Sequence, residues 1–532
     1  MLSSISRLSS AFASVYMKYL TWLFLRKLPL GYRFLPKIQA ALAVFLVSFA
    51  LQPKLKTRHR SIPILLGVAT NDTITNLITV ALNLGSLLCC MDFIYRAHLL
   101  HPADQLSFSR VGFVTSSTAK IVIGHSGASS IVNFNFTYAD SSTNDTISIT
   151  DLQIQPQDAS TITVLLDSLS PSSNYIYSTS LGHAGSFSTP EGNPAVLRFI
   201  STSCMKPFYP YNPLKHALSL EGFQHLSAYL SHSSTPTQDF IFFLGDFIYS
   251  DLPTAPYPYT REYFTALYRQ IYASPDYTQT LRDTPWLHIF DDHEIINDYH
   301  PSMSLHITGD ADPQELYKNA ISPFVHYQHL ANPAPYSPDV FYYTFSRGPA
   351  SFFVLDTRTY RSEPARKGAS MLGSEQLNAL KGWIGSAKNK GKWKVVVSGV
   401  PFTQNWKGGQ DAFDSWGGYL EEREEILLEL WKAGGGMIIS GDRHEHATVN
   451  YSPPFESGYS VIEFSTSPLS FFYQPFAREY LRENEDTDET IHHEWEGVSK
   501  FGVFEIEESV VRFKLLIEGV EKWTYEWAMT TA

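Results

Sequence analysis

From Leu197 onward one device recurs along the chain. Short, mostly apolar runs stop at polar or charged clusters: Phe240-Ile-Phe-Phe-Leu, Trp286-Leu-His-Ile-Phe, Ser351-Phe-Phe-Val-Leu, Trp393-Lys-Val-Val-Val and Gly436-Met-Ile-Ile-Ser. A run without apolar–polar alternation has both faces covered, so these read as buried strands. Helical stretches lie among them, at Ser374 to Ser386 and Glu421 to Ala433. The pattern predicts an α/β fold, an α+β layered sandwich, in which chemical groups stand at strand ends. Phe501-Gly-Val-Phe-Glu-Ile and Val510-Val-Arg-Phe-Lys-Leu-Leu-Ile read as closing strands after an acidic loop between Glu483 and Glu496.

Four strand ends carry metal-ligand residue types. They are Phe199-Ile-Ser-Thr-Ser-Cys204, Leu244-Gly-Asp-Phe-Ile-Tyr249, Phe290-Asp-Asp-His-Glu294 and Ser440-Gly-Asp-Arg-His-Glu-His446. Gly245 allows a tight turn, so Asp246 projects at the sheet edge and Tyr249 follows about one helical turn later. Adjacent acids at a buried strand end raise each other's proton affinity unless a cation neutralises them. His444 and His446 are two apart, and on an extended segment they face the same way. Singly, each cluster has an ordinary reading: Gly-Asp is a turn, an Asp-Asp pair is solvated, a lone Cys is a small buried hydrophobe. Four of them in one α/β segment predict a metal site.

The order Ser-Cys, Gly-Asp-x-x-Tyr, Asp-Asp-His-Glu, Leu-Asp-x-Arg and Ser-Gly-Asp-x-His resembles the PhoD-like alkaline phosphatases, a branch of the calcineurin-like metallophosphatases. Leu355-Asp-Thr-Arg-Thr-Tyr-Arg361, Leu372-Gly-Ser-Glu-Gln-Leu, Asp414-Ser-Trp-Gly-Gly-Tyr and Glu422-Arg423 are similar to further elements of that family. The resemblance covers about residues 195 to 515. Departures from its pattern are Phe290 for Trp, Met205 for Gln and Gly417 for Asp; the last removes a carboxylate. Carried over position by position, the resemblance implies that Cys204, Asp246 and Tyr249 hold one metal, with Asp246 bridging to a second. Asp292, Asp442 and His444 complete the implied ligand set. His293 and Arg358 are the implied catalytic residues, facing phosphate oxygens. Asn297, Arg361 and His446 are candidates for supporting places behind them. A thiolate with a phenolate suits ferric iron, and oxygen-rich ligation suits calcium, so iron plus calcium is expected, with zinc, manganese or magnesium as alternatives.

The first sixty residues contain Lys and Arg but no Asp or Glu, on a chain whose net charge is -12. Ile38 to Gln52 and Ile74 to Tyr95 are apolar, the first shorter than the roughly 20 residues that cross a bilayer. Val15 to Leu30 is amphipathic and basic, fit to span weakly or to lie in the interface. The expected organisation is a helical membrane anchor of one to three hydrophobic segments in residues 1–104, an all-β fibronectin-like sandwich in 105–192 and the metallophosphatase domain in 193–532. The sandwich rests on Ala119-Lys-Ile-Val-Ile-Gly, Ile131-Val-Asn-Phe-Asn-Phe-Thr and Thr161-Ile-Thr-Val-Leu-Leu, and on the corner-like Ser170-Pro-Ser-Ser-Asn-Tyr-Ile-Tyr. Three cysteines in 532 residues exclude a disulfide framework. The acidic balance argues against a nucleic-acid-binding surface.

The expected function is a metal-dependent phosphoesterase that hydrolyses monoesters, diesters or both. Water activated by metals about 3.5–4 Å apart attacks phosphorus in line, with His293 and Arg358 as donors for the charge that builds. The alternatives are a phospholipase D-like or nucleotide phosphodiesterase and, from another class, a non-catalytic cell-surface binding protein. Lys54, Lys56, Arg58 and Arg60 favour the cytoplasm. One span after them places the catalytic domain in a lumen or outside the cell. Sequons at Asn135, Asn144 and Asn450 then become glycosylation candidates.

Overall fold

The computed structural model describes residues 2–528 apart from 58, 127–129, 144–145, 254–258, 304–311, 407–412, 456–458 and 472–487. The sequon at Asn144, Arg58 of the basic loop and residues 483–487 of the expected acidic loop lie outside the described residues; the rest of that stretch is not a loop, because Asp488–Glu494 pairs as a strand with His446–Tyr451. The chain forms two compact units. One holds Met1–Pro102 with Phe208–Leu218 and Asp251–Tyr257; the other holds Ala103–Pro207, Ser219–Ser250 and Pro258–Ala532.

The first unit is helical: α1 (Leu2–Arg26), α2 (Gly31–Leu51), α3 (Ser61–Leu66) and α4 (Thr73–Leu100). The Asp72 side chain caps α4 by accepting from the Ile74 amide. α2 and α4 are long and apolar enough to cross a membrane. The apolar run expected from Ile38 is therefore short only in composition, because the helix begins at Gly31 and includes Pro36 and Lys37. The polarity of the bundle is inverted relative to a water-soluble one. Ser10, Ser14, Thr75, Thr79 and Asn83 are buried, while Leu8, Phe12, Val47, Leu51, Leu77 and Leu88 are exposed. Inside, Ser14 Oγ donates to Asn83 Oδ1 at 2.9 Å, and at the exposed rim Lys18 Nζ donates to the Leu65 carbonyl at 2.9 Å.

The second unit opens with seven strands: β1 (Ser107–Val114), β2 (Ala119–His125), β3 (Val132–Asp140), β4 (Thr146–Ile154), β5 (Thr161–Leu166), β6 (Asn174–Thr179) and β7 (Ala184–Ser188). They form two antiparallel sheets, ordered β1-β2-β5 and β4-β3-β6-β7. Phe136, Tyr138, Val164, Tyr177 and Phe187 share one core between them. The Ser170 amide donates to the Tyr175 hydroxyl at 2.8 Å, which pins the corner before β6.

The rest is layered. Its elements run β8 (Leu197–Thr202), α5 (Glu221–Ser231), β9 (Phe240–Leu244), α6 (Arg261–Tyr272), α7 (Gln279–Asp283), β10 (Trp286–Ile289), α8 (Pro313–Tyr327), β11 (Tyr343–Arg347), β12 (Ala350–Val354), α9 (Gly373–Ile384), β13 (Trp393–Val397), α10 (Leu420–Lys432), β14 (Gly436–Ser440), β15 (His446–Tyr451), β16 (Val461–Thr466), β17 (Asp488–Glu494), β18 (Lys500–Ile506), β19 (Val510–Ile517) and β20 (Val520–Ala528). One sheet has the order β10-β9-β8-β18-β19-β20, the other β11-β12-β13-β14-β16-β15-β17. β8, β9 and β10 are mutually parallel, as are β12, β13, β14 and β16.

The two sheets face each other. Phe240, Phe242 and Leu244 of β9 point into the inter-sheet core with Phe199, Phe352, Val395 and Phe504. Ile241 and Phe243, the alternate residues, pack outward against α5, α6 and α8. α9 and α10 cover the other outer face over Phe353, Val396 and Ile438. Both faces of each central strand are thus buried, which is why these runs carry no polar alternation. The parallel strands of both sheets end on one edge, and the residues that follow them form the candidate site.

Candidate metal centre

Three carboxyl ends of one sheet and one of the other deliver the site. β8 leads to Cys204, β9 to Asp246 and Tyr249, β10 to Asp291 through Glu294, and β14 to Asp442 and His444. Their backbones turn abruptly. Cys204 (φ 59°), Asp246 (57°), Asp298 (58°), Asp442 (74°) and His444 (58°) all adopt the left-handed conformation. For residues with a Cβ that conformation costs roughly 1 kcal/mol each. It turns each side chain back over the strand ends, and the surrounding contacts hold it there. Gly245 (φ +94°) has no such freedom to carry a side chain: a Cβ there would lie 2.5 Å from the Cβ of Asp291.

Glu294 ties the two loops together. Its fully buried carboxylate accepts from the backbone amides of Asp246 (3.0 Å), Phe247 (2.6 Å) and Asp291 (2.8 Å). Ser203 Oγ accepts from the Asp442 amide at 3.1 Å, joining the end of β8 to that of β14.

Four groups of ligand atoms result, each with all atoms within 4.8 Å of one another: Cys204, Asp246 and His444; Asp246, Asp292 and His293; Asp291, Asp292 and Asp442; Asp292, Asp298 and Asp414. Tyr249 joins the first. Its hydroxyl donates to Asp246 Oδ2 at 2.8 Å and lies 3.0 Å from His444 Nε2. Cys204 Sγ donates to the same Asp246 oxygen at 3.4 Å. The Phe471 ring, 4.0 Å from that of Tyr249 and 5.0 Å from that of His444, walls this side.

Burial dominates the proton affinities. It pushes Asp246 well above the carboxylate range, and Asp292, Asp291 and Glu294 add to the rise against His293. Glu294 is pushed by burial to about 8, against the three amide bonds that pull it down. Asp442 rises to about 7, again first through burial. The Cys204 thiol and Tyr249 phenol are driven up by burial and by Asp246. Such a cluster needs either bound protons or cations. Asp246 Oδ1 is buried and accepts no hydrogen bond. The donor set fits metals: three carboxylates (Asp246, Asp292, Asp442), an imidazole and two ionisable soft or phenolic groups, all converging on a buried space.

The sequence candidates fall into two groups. Cys204, Asp246, Tyr249, Asp292, His293, Asp442 and His444 come together. Arg358 does not occupy the place expected for a residue facing phosphate. It is fully buried, with Nε and Nη2 on Asp291 and with Nη1 and Nη2 on Asp414 at 2.7 and 2.8 Å. Its fork reaches three carboxylates, with Nη2 also 3.4 Å from Asp292 Oδ1, so it braces the acidic groups beside the site. Arg361 braces the same carboxylate from behind, Nη1 to Asp414 Oδ1 at 2.6 Å. His446 does not face the site either. His444 is left-handed and β15 starts only at His446, so the alternation expected of an extended segment does not apply. The two ring nitrogens of His446 lie 3.0 Å from Thr466 Oγ1 and 3.0 Å from Thr448 Oγ1. Asn297 is exposed.

Asp298, Asp414 and the bracing role of Glu294 escaped the sequence reading. Asp298 sits in a turn whose amide donates to Asp292 Oδ2 at 2.5 Å. Asp414 was visible only as the start of Asp-Ser-Trp-Gly-Gly-Tyr. It presents its carboxylate three residues before Gly417, where the resemblance had removed one. Burial raises the proton affinity of Asp414, but Arg358 and Arg361 outweigh it and hold the group far below the usual carboxylate range.

A two-sheet α/β sandwich gathers this donor set at its strand ends. Residues 200–513 match the PhoD-like phosphatase family, and the chain belongs to it. Alkaline phosphatase D of Bacillus subtilis (strain 168) is 26% identical over 353 residues, which are 58% of this chain and 57% of that relative. The chain thus spans less than two thirds of the curated relative it matches. A solved structure described as the structure of PhoD superposes with a TM-score of 0.64 over 79% of this chain and 90% of that one, at 19% identity. That likeness is one of fold.

Proposed function

We propose that the protein is a metal-dependent phosphoesterase that hydrolyses phosphate monoesters, diesters or both. The observation that carries this reading is the convergence of Cys204, Asp246, Tyr249, Asp292, Asp442 and His444 on one buried space in a chain of the PhoD-like phosphatase family. In this reading Cys204, Asp246, Tyr249 and His444 hold one cation, and Asp246, Asp292 and Asp442 a second. Iron is preferred at the first for its thiol and phenol, calcium at the oxygen-rich second. Bound there, the cations supply Lewis acidity and lower the pKa of a water.

The chain's own groups do the rest. Glu294 and Arg358 fix the two carboxylate loops. The His293 ring, 4.2 Å from that of Tyr249 and only half-buried, donates in this reading to a phosphate oxygen.

Residues 105–192 act in this reading as a fibronectin-like module; the strand orders and the Tyr175 corner support it. The helical unit anchors the protein in a membrane, supported by α2, α4 and the inverted polarity of the bundle. The basic residues before α4 favour a cytoplasmic loop and a lumenal or extracellular catalytic domain. Asn135 is then the better-placed acceptor for a glycan. It is exposed, whereas Asn450 Nδ2 is engaged by Ser452 and Glu489 at 3.1 and 3.0 Å.

The test is elemental analysis of the purified full chain together with hydrolysis of p-nitrophenyl phosphate and bis(p-nitrophenyl) phosphate. Bound metals with turnover of either ester is the expected result. A metal-free protein that turns over neither after reconstitution with iron and calcium overturns the reading and leaves the non-catalytic one.

A further inference from the structure

We infer that Asn332 is a positioning residue for the loop that carries Asp291, Asp292, His293 and Glu294, and that the β-sandwich steadies it through Lys120; the link to catalysis rests on the phosphoesterase reading above. β10 is the last strand of its sheet and pairs on one side only, with β9. Its other edge leaves main-chain N–H and C=O groups outside the ladder, and burying such groups without partners is costly. Asn332 fills that place. Its Oδ1 accepts from the His288 amide at 2.9 Å, and its Nδ2 donates to the His288 carbonyl at 2.7 Å. A primary amide carries an acceptor and a donor side by side, so one side chain supplies both bonds of a missing strand. The Tyr343 hydroxyl donates to the same carbonyl at 3.3 Å. Asn332 is fully buried, and His288 is the residue before the end of β10.

Asn332 is itself held from two sides. It follows the turn His329–Ala331 after α8, and its own amide donates to the His329 carbonyl at 3.0 Å. The β-sandwich, which belongs to the same compact unit, holds this turn with two strands. From β2, Lys120 Nζ donates to the Asn332 carbonyl and, at 3.0 Å, to the Leu330 carbonyl. Lys120 is the only lysine between residues 105 and 192, and it is spent on this turn. From β1, Gly112 comes so close that a Cβ there would stand 2.7 Å from the Cβ of Ala331. Arg110, fully buried, donates through Nη2 to the Tyr327 carbonyl at 2.6 Å. Phe108 stacks on the rings of Tyr272 at 4.8 Å and Tyr327 at 6.1 Å.

The site needs such a clamp at this strand and at no other that leads to it. β8, β9 and β14, which lead to Cys204, to Asp246 and Tyr249, and to Asp442 and His444, each lie between two neighbours in their sheets. Only β10 stands at an edge, and it leads to the adjacent acids. The path from the sandwich is short: the Lys120 ammonium, the Asn332 main chain and side chain, the His288 peptide, then three residues of chain to Asp291 and one more to Asp292. A displacement of about 1 Å at a reacting site costs on the order of a hundredfold in rate even when its origin is remote. In this reading the sandwich serves the metal centre by fixing the one ligand-bearing strand that its own sheet leaves half-paired.

The test compares the full chain with Asn332→Ala and with Lys120→Met, which keeps the stem and removes only the ammonium at a half-buried position. Amide exchange is read by mass spectrometry, calcium binding by titration of chelator-treated, iron-loaded protein, and turnover as kcat and KM on p-nitrophenyl phosphate. Exchange over residues 286–294 should quicken about tenfold in Asn332→Ala and about threefold in Lys120→Met, with residues 240–244 unchanged. Calcium affinity and kcat should fall about 10–100-fold in Asn332→Ala. The visible iron band from Tyr249 should persist, because β8 and β9 are paired on both sides. A merely structural role would quicken exchange in both strands alike, or lose iron and calcium together, and either result overturns the proposal. So does unchanged exchange over 286–294 in both variants. Should Asn332→Ala not fold, Lys120→Met decides alone by the same readings. A wild-type chain that binds no metal and cleaves no ester, while exchange behaves as expected, overturns the phosphoesterase reading and the catalytic link and leaves Asn332 as the clamp of β10.

Discussion

Replacing Glu294 with Gln separates a positioning role from a merely structural one. Glu294 accepts three backbone amides, at 2.6, 2.8 and 3.0 Å, and is fully buried. Without cations its pKa stands at about 8 against an ordinary 4.5, so near neutral pH it holds a proton. The sign follows: a raised acid contributes stability that is complete below about 4.5 and is lost as pH rises through about 8. Gln resembles the protonated acid, so the cation-free protein at pH 7 should lose only about 1 kcal/mol, the worth of one weakened amide bond. Cations favour the ionised form, which turns all three amide bonds into charge-assisted ones worth roughly 1.5–3 kcal/mol each. Gln cannot follow, and its NH2 must oppose one amide. Metal affinity should therefore fall about 10–100-fold, the range found when groups behind metal ligands are replaced. The assay is metal titration of chelator-treated protein, paired with thermal melts in chelator. Affinity within threefold of wild type refutes the reasoning. So does a cation-free variant destabilised by more than about 4 kcal/mol, because the cost would then lie in the fold and not in the loaded site.

Other perturbations test neighbouring parts of the argument. Asp246→Asn should abolish hydrolysis while circular dichroism stays unchanged; near wild-type turnover with metals bound would sink the shared-carboxylate arrangement. Cys204→Ser should lose iron and any visible charge-transfer band from Tyr249, and an unchanged iron content would return Cys204 to the core. His183 is pushed down to about 4 by burial first, then by His125 and Arg282. A lowered histidine gives stability that is present above about 6.5 and is lost as pH falls through about 4. Melts at pH 7 and pH 5 should thus converge in His183→Asn, and an undiminished acid sensitivity would remove His183 as its source.

Most of the layered fold was legible because its strands are covered on both faces. Phe240–Leu244, Trp393–Val397, Gly436–Ser440 and Val510–Ile517 form strands over the residues expected, and α9 and α10 lie within one or two residues of their sequence positions. What escaped lacks that signal. β20 alternates half-buried and exposed residues, and Glu-Lys-Trp-Thr-Tyr-Glu-Trp reads equally as a polar loop. β4 is almost wholly exposed on both faces and shows no apolar run. α2 was cut short by Pro36 and Lys37, which a helix with an apolar exterior tolerates near its end. α5, α6 and α8 hide behind aromatic residues, Tyr and Phe, whose helix propensity is indifferent and whose packing makes them helical.

The site was legible as residue types at strand ends, not as directions. Five of the clustered residues are left-handed, and nothing in Ser-Cys-Met or Gly-Asp-Arg-His announces a positive φ in a residue with a Cβ. The consequence is specific. Alternation on an extended segment would place His446 with His444, and the turn at His444 cancels it. For Arg358 the limit is different, because a motif gives identity without charge accounting. Around this site Asp246, Asp291, Asp292, Asp298, Glu294, Asp414 and Asp442 stand against Arg358, Arg361 and Arg443. Seven carboxylates and three guanidinium groups leave an excess of four negative charges. Four of the seven, Asp246, Asp291, Glu294 and Asp442, have their proton affinities raised, first by burial in each case. The arginines leave an anionic excess that cations must balance, so an Arg358→Lys protein, with one flexible ammonium for a fork shared between Asp291 and Asp414, should loosen Asp291 and weaken metal binding even though the formal charge is unchanged.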